Sequence, residues 1–240
     1  MTANAIPTRK LLSLVRQGKT INRAWMELQL QSTRVNGLTL DLGSGGSNYF
    51  QSMPHGSRRA SLLQVDICRE ARPHLVADLE RALPLAAASA DCVLLLNVLE
   101  HLYHCQQVLC EIGRVLRPGG RLVMFSPFLI AVHTAHRGNV FTDDFFRFSA
   151  SSLRRLLTDT GFRGPIEIEA CSFAPFTAAA NLFLPGMRVV LLKTAFVACS
   201  LQLVGQPAAQ VASGKRRGFT QRLGHRLLCG GRQVALCLTI

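Results

Sequence analysis

The 240-residue sequence predicts an α/β protein built on a mostly parallel sheet, and three features carry that reading. Short apolar runs at 38–42, 61–66, 75–78, 92–97 and 121–126 have the length and content of buried strands. Helical patterning separates them, most plainly over 102–116, and repeated strand–helix–strand units imply parallel strands joined by right-handed crossovers. A glycine-rich turn, Gly43-Ser44-Gly45-Gly46, directly follows the first run, where such sheets bind ligands.

Residues 1–36 are polar and basic, with one apolar-periodic segment over 21–30. They read as a helical extension before a domain spanning 37–240. Over 102–116, Leu102, Val108, Leu109, Ile112, Val115 and Leu116 share one helical face. Arg117-Pro118-Gly119-Gly120 then ends the helix, since proline cannot continue it and glycine permits the turn. Residues 127–148 form an aromatic, His-containing loop. Ser149 is placed to cap a helix running to about Thr160, which Gly161 stops. A strand is expected over 165–170, an apolar-then-basic insertion over 171–230, and a last strand over 233–239.

With 48% hydrophobic and 17% charged residues, the chain is globular rather than disordered. Its net charge of +13 is carried mainly by arginine, since the only lysines are Lys10, Lys19, Lys193 and Lys215. The densest basic run, over 215–226, contains a single aromatic residue, Phe219. A solvated basic face is the first reading of that run, an anionic membrane or lipid-linked substrate the second, and nucleic acid the third. The eight cysteines form no CxxC pair and no zinc or iron–sulfur spacing, so no metal is expected, and reduced thiols in the cytoplasm are. No apolar h-region follows Arg9 and Lys10, so no secretory signal is expected. The greasiest stretch, 189–204, falls short of the ~20 residues that span a bilayer and carries Lys193, which suits a buried or interfacial helix.

The glycine turn permits several nucleotides, but a dinucleotide fingerprint needs its third glycine where Asn48 stands. Asp66 ends the next strand about 20 residues on, where a carboxylate can accept both hydroxyls of a ribose. Asp78 ends the third, where a carboxylate can accept from an adenine amino group. Singly, each is also what a strand cap or a tight turn looks like. Together they lie on one sheet edge.

Four motifs in order over 38–161 resemble the class I S-adenosylmethionine-dependent methyltransferases, type-11 subgroup. They are Leu40-Asp41-Leu42-Gly43-Ser44-Gly45, then Val65-Asp66-Ile67, then Ala90-Asp91-Cys92-Val93 through Asn97-Val98-Leu99-Glu100-His101, and Glu111 through Pro118-Gly119-Gly120. The resemblance implies a Rossmann-like, doubly wound sheet of seven strands whose last strand is antiparallel. It also implies that Gly43 and Gly45 line the methionine part of S-adenosyl-L-methionine while Asp41 orients it. Asp66 would take the ribose with Ile67 against the adenine, Asp78 and Leu79 the adenine edge, and Asn97 the methionine amine through its backbone.

A methyl acceptor that is a hydroxyl must also lose a proton, and the loop after the fifth strand is where a base is expected. His133, His136 and Asp143 are the candidates there, and His101 is a further residue able to face the acceptor. Ser126-Pro127-Phe128 followed by Asp144-Phe145-Phe146-Arg147-Phe148-Ser149 resembles a bacterial branch associated with cell-surface polysaccharides, which implies a glycan or lipid-linked small-molecule acceptor. RNA methyltransfer and a catalytically inactive cofactor-binding module are the alternatives. The Asn97-Val98-Leu99-Glu100 segment lacks the Pro-Pro-aromatic turn of nucleic-acid amino-methyltransferases, and this weighs against RNA. Cytoplasmic work, with a peripheral membrane contact as an option, completes the expectation.

Overall fold

The structure, a computed structural model, describes residues 8–56, 60–128, 132–137, 140–171 and 233–239. The insertion expected over 171–230, with its basic run, therefore lies outside the described residues apart from its first position. Helices α1 (Thr8–Arg16) and α2 (Ile21–Ser32) precede β1 (Leu38–Leu42), α3 (Tyr49–Ser52), β2 (Ser61–Asp66), β3 (Leu75–Val76) and β4 (Ala90–Leu96). Then come α4 (Cys105–Val115), β5 (Leu116–Pro127), β6 (Ala135–Arg137), β7 (Val140–Thr142), α5 (Ala150–Asp159), β8 (Ile166–Cys171) and β9 (Gln233–Thr239).

The main sheet has the order β3-β2-β1-β4-β5-β9-β8. Its chain path runs outward from β1 through β2 to β3, then returns to β4 on the other side of β1. That reversal is the topological switch point at which such sheets bind ligands. Strands β1 to β5 are parallel neighbours, as the sequence predicts. The expected antiparallel last strand is not what the structure has: β9 pairs parallel with both β5 and β8. Only a short hairpin link would force antiparallel pairing, and the connection from residue 172 to 232 is long enough for a parallel crossover.

Both faces of the sheet are covered, which explains why its strands read as continuous apolar runs. Side chains alternate across the plane. Val93 and Leu95 on β4, with Leu122 and Met124 on β5, pack into a core shared with Val108, Leu109 and Ile112 of α4 and Leu153 and Leu157 of α5. Cys92, Leu94, Val123 and Phe125 face the opposite way, onto Leu11 and Val15 of α1 and Trp25, Met26 and Leu30 of α2. Trp25 meets Phe125 edge-on, with ring centroids 5.8 Å apart. The N-terminal helices are thus a layer of the fold.

Helix α4 stops at Val115, where the Leu116 N–H bonds back to the Ile112 carbonyl. The Pro118-Gly119-Gly120 turn lies inside β5, and the register shifts there: Ala90 faces Leu116 while Cys92 faces Arg121. Ser149 caps α5 as expected, its Oγ accepting from the Ser152 N–H. The loop after β5 holds an antiparallel hairpin, β6 with β7, whose three-residue strands are too short to show as alternation in sequence. Among the described residues, no helix is long and apolar enough to cross a membrane. Cys92 and Cys105 are buried free thiols, and Cys110 is an exposed one.

Candidate active site

The carboxyl ends of β1, β2 and β4 bring together residues widely separated in sequence. At the end of β1, Gly43 has φ +68 and donates its N–H to the Val65 carbonyl at 2.8 Å. A Cβ at Gly43 would stand 2.7 Å from Val98 Cγ2, so position 43 requires glycine on two counts. Gly45, φ +55, donates its N–H to Asp66 Oδ2 at 2.7 Å. The other carboxylate oxygen, Oδ1, accepts from the Cys68 N–H at 2.8 Å. Asp66 thereby ties the glycine turn to the loop after β2. A carboxylate offers about four acceptor positions, which leaves capacity for ligand hydroxyls.

Asp41 lies in β1 between Gln64 and Leu94 and is 1% exposed. Burial pushes its carboxyl up to about 6, with hydrogen bonds from Ser47 and Gln64 opposing the shift and the charge of Asp66 adding to it. The Ser47 hydroxyl is 3.5 Å from Asp41 Oδ2. Ser44, next in the turn, is buried, and its Oγ has no hydrogen-bond partner.

Ile67, just past β2, is 46% exposed although apolar. Asp78 lies two residues beyond β3 and accepts from the Glu80 N–H and from Arg81 Nε. The Leu79 side chain packs into the hydrophobic core, so only its backbone is available at this edge. Asn97 follows β4 with φ +55, a left-handed conformation that asparagine tolerates better than most residues. Its N–H donates to the Phe125 carbonyl at 2.9 Å, and its side-chain amide reaches Met26 Sδ.

Beyond Asn97 the loop after β5 folds back onto the end of β4. The Glu100 carbonyl accepts from the N–H groups of Phe145 and Phe146, at 2.8 and 3.3 Å. Glu100 itself is completely buried, and neither carboxylate oxygen has a hydrogen-bond partner. Burial pushes its carboxyl up to about 8. His101 Nδ1 is 2.6 Å from the Asp143 carbonyl, and its Nε2 is 3.9 Å from Glu100 Oε1. His133 stands edge-on to His101, with ring centroids 5.1 Å apart. Its N–H donates to Asp144 Oδ2 at 2.8 Å, and its ring Nδ1 is 3.1 Å from the same oxygen. Asp144 is also paired with Arg147. Burial would raise the Asp144 carboxyl, but the hydrogen bonds from Arg147 and His133 outweigh it and hold it down at about 2.

Residues 40–124 match the type-11 family described as a methyltransferase domain. Residues 40–124 are a class I methyltransferase domain. An uncharacterized 37.1 kDa protein in transposon TN4556 of Streptomyces fradiae is 36% identical over 110 residues, which are 41% of this chain and 32% of that protein. The chain thus spans about a third of that relative's length. Among solved structures, a SAM-dependent methyltransferase from Aquifex aeolicus is 16% identical, covering 68% of this chain and 92% of that one at a TM-score of 0.46. A chain of the complex between the Haloferax volcanii Trm112 methyltransferase activator and its methyltransferase is 19% identical, covering 64% and 75% at a TM-score of 0.44.

A methyltransferase domain of this type draws its methyl group from S-adenosylmethionine, and the residues present fit that group. The cradle at Gly43 admits no Cβ, Ser44 presents an orphaned buried hydroxyl, and Ile67 is an uncovered apolar surface beside Asp66. The sheet edge of the methyltransferase domain gathers Asp41, Gly43, Gly45, Asp66, Ile67 and Asn97, with Asp78 and the Leu79 backbone just beyond β3. Of the three expected base candidates, His133 sits in the cluster with Glu100. Asp143 joins it through its backbone carbonyl, while its side chain is exposed. His136 lies in β6 opposite Phe141, and its side chain is outside the described residues. Sequence reasoning missed Glu100, whose signal was a carboxylate set in the apolar run Val98-Leu99 at a strand end.

Proposed function

We propose that the chain is an S-adenosylmethionine-dependent methyltransferase acting on a small-molecule hydroxyl, of a glycan or a lipid-linked substrate. The observation that carries the reading is Asp66. Its carboxylate is fixed by the Gly45 and Cys68 N–H groups at the switch point, beside the uncovered Ile67. When bound, S-adenosylmethionine supplies an activated methyl group on a sulfonium, so the protein's task is to align an acceptor with it. In this reading Asp66 accepts the ribose hydroxyls and Ile67 lies against the adenine. Asp78 and the Leu79 backbone hold the adenine edge, and Asn97 receives the methionine amine at its carbonyl. Asp41 orients the cationic end. The acceptor's proton leaves on the side of Glu100, His101 and His133.

Residues 37–240 form the proposed methyltransferase unit, with 1–36 as a helical extension closing one sheet face. Work in the cytoplasm, with a peripheral contact of 215–226 on an anionic membrane, belongs to the same reading and rests on sequence. Calorimetry with S-adenosylmethionine or its demethylated product tests it. Asp66→Ala is expected to weaken binding at least tenfold, about 1.4 kcal/mol, with a melting curve confirming the fold. No binding by the intact protein would end the enzyme reading.

A further inference from the structure

We propose that Glu100, His101 and His133 hold a divalent first-row cation of the zinc class on the acceptor side of the site. One ligand atom from each of these residues lies within 4.8 Å of the other two. Two imidazoles and a carboxylate are a donor set for such cations, and three protein ligands leave a position for a water or acceptor oxygen.

The second observation is independent of that spacing. Both Glu100 oxygens are shut away from water without a hydrogen-bond partner, a costly arrangement if the carboxylate is ionised and uncompensated. The loop after β5 is pinned over this residue, since the Glu100 backbone carbonyl accepts from the N–H groups of both Phe145 and Phe146. A cation between Glu100 and the two imidazoles compensates the charge where it stands.

The surroundings supply the support that metal-binding histidines characteristically have. A ligating imidazole usually gives its second ring nitrogen to a carbonyl or carboxylate, which sets its tautomer and orientation. His101 Nδ1 meets the Asp143 carbonyl at 2.6 Å, which directs Nε2 toward Glu100. His133 Nδ1 meets Asp144 Oδ2 at 3.1 Å, and Asp144 is itself held by Arg147. Two different oxygens of the same loop thus brace the two rings.

A cation there would lower the pKa of a hydroxyl placed beside it, and so favours an oxygen acceptor. That use rests on the methyltransferase reading, whereas the binding site does not. The test uses the full chain, stripped with chelator and titrated with Co2+ by absorption and with Zn2+ by calorimetry. The expected result is one equivalent bound, with the ligand-field absorption of nitrogen donors. Affinity should fall at least tenfold in His133→Ala, an exposed position that does not threaten the fold, and in the isosteric Glu100→Gln. No stoichiometric binding by the parent protein, or affinity unchanged in both variants, overturns the proposal. S-adenosylmethionine binding measured separately on the stripped protein tells failure of this site from failure of the methyltransferase reading.

Discussion

Replacing Asp41 with asparagine removes a carboxyl that the fold holds in an expensive place. Its pKa is about 6 in the folded chain against an ordinary 3.8, because burial disfavours the charged form. The folded state therefore binds this proton more tightly than the unfolded state does. The resulting stabilisation is fully present below pH 3.8 and is lost as pH rises through 6. At about 1.4 kcal/mol per pKa unit, the difference amounts to about 3 kcal/mol between pH 4 and pH 7. Urea denaturation of the parent and of Asp41→Asn across that range isolates the effect, since other titrating groups are common to both. The variant should gain on the parent by up to about 3 kcal/mol as pH rises, most steeply at about pH 5, between the two pKa values, and level off above 6. A stability difference that stays flat with pH would refute the argument. The same ionisation should help a sulfonium cofactor, so affinity for S-adenosylmethionine should rise through pH 6 in the parent and flatten in the variant.

Gly43→Ala should destabilise by about 1–2 kcal/mol from the left-handed backbone alone, and further through the contact with Val98. Combining it with Val98→Ala should relieve the second part only, so a double-mutant cycle by chemical denaturation should show favourable coupling, and strict additivity would contradict it. Ser149→Ala removes the cap of α5 and should cost about 1 kcal/mol in the same measurement, while an unchanged midpoint would mean the cap carries nothing. The Asp66→Ala and His133→Ala variants should separate cleanly in binding, the first losing S-adenosylmethionine and the second losing Co2+.

Most of the sheet edge proposed to hold the cofactor is legible in the amino-acid sequence, for a geometric reason. In a parallel sheet the residue that ends each strand lies on a single edge, so strand ends alone place Asp41-Leu42-Gly43, Asp66 and Asn97 together. The apolar runs locate β1, β2 and β9 to the residue. The direction of β9 is not legible, since its residues are equally apolar running either way. The hairpin of β6 and β7 escapes detection because three residues hold too little alternation to register.

The sequence by itself therefore determined the α/β class, the glycine turn and the acidic strand ends, all properties of short contiguous stretches. Tertiary structure decided the rest. Only packing shows that Leu79 is core, that Asp41 titrates near 6, and that Glu100 is sealed beside His133. Burial and charge proximity depend on which distant segments meet. Local periodicity carries no record of that meeting, and His133 stands more than thirty residues from the end of β4, with α4 and β5 between them.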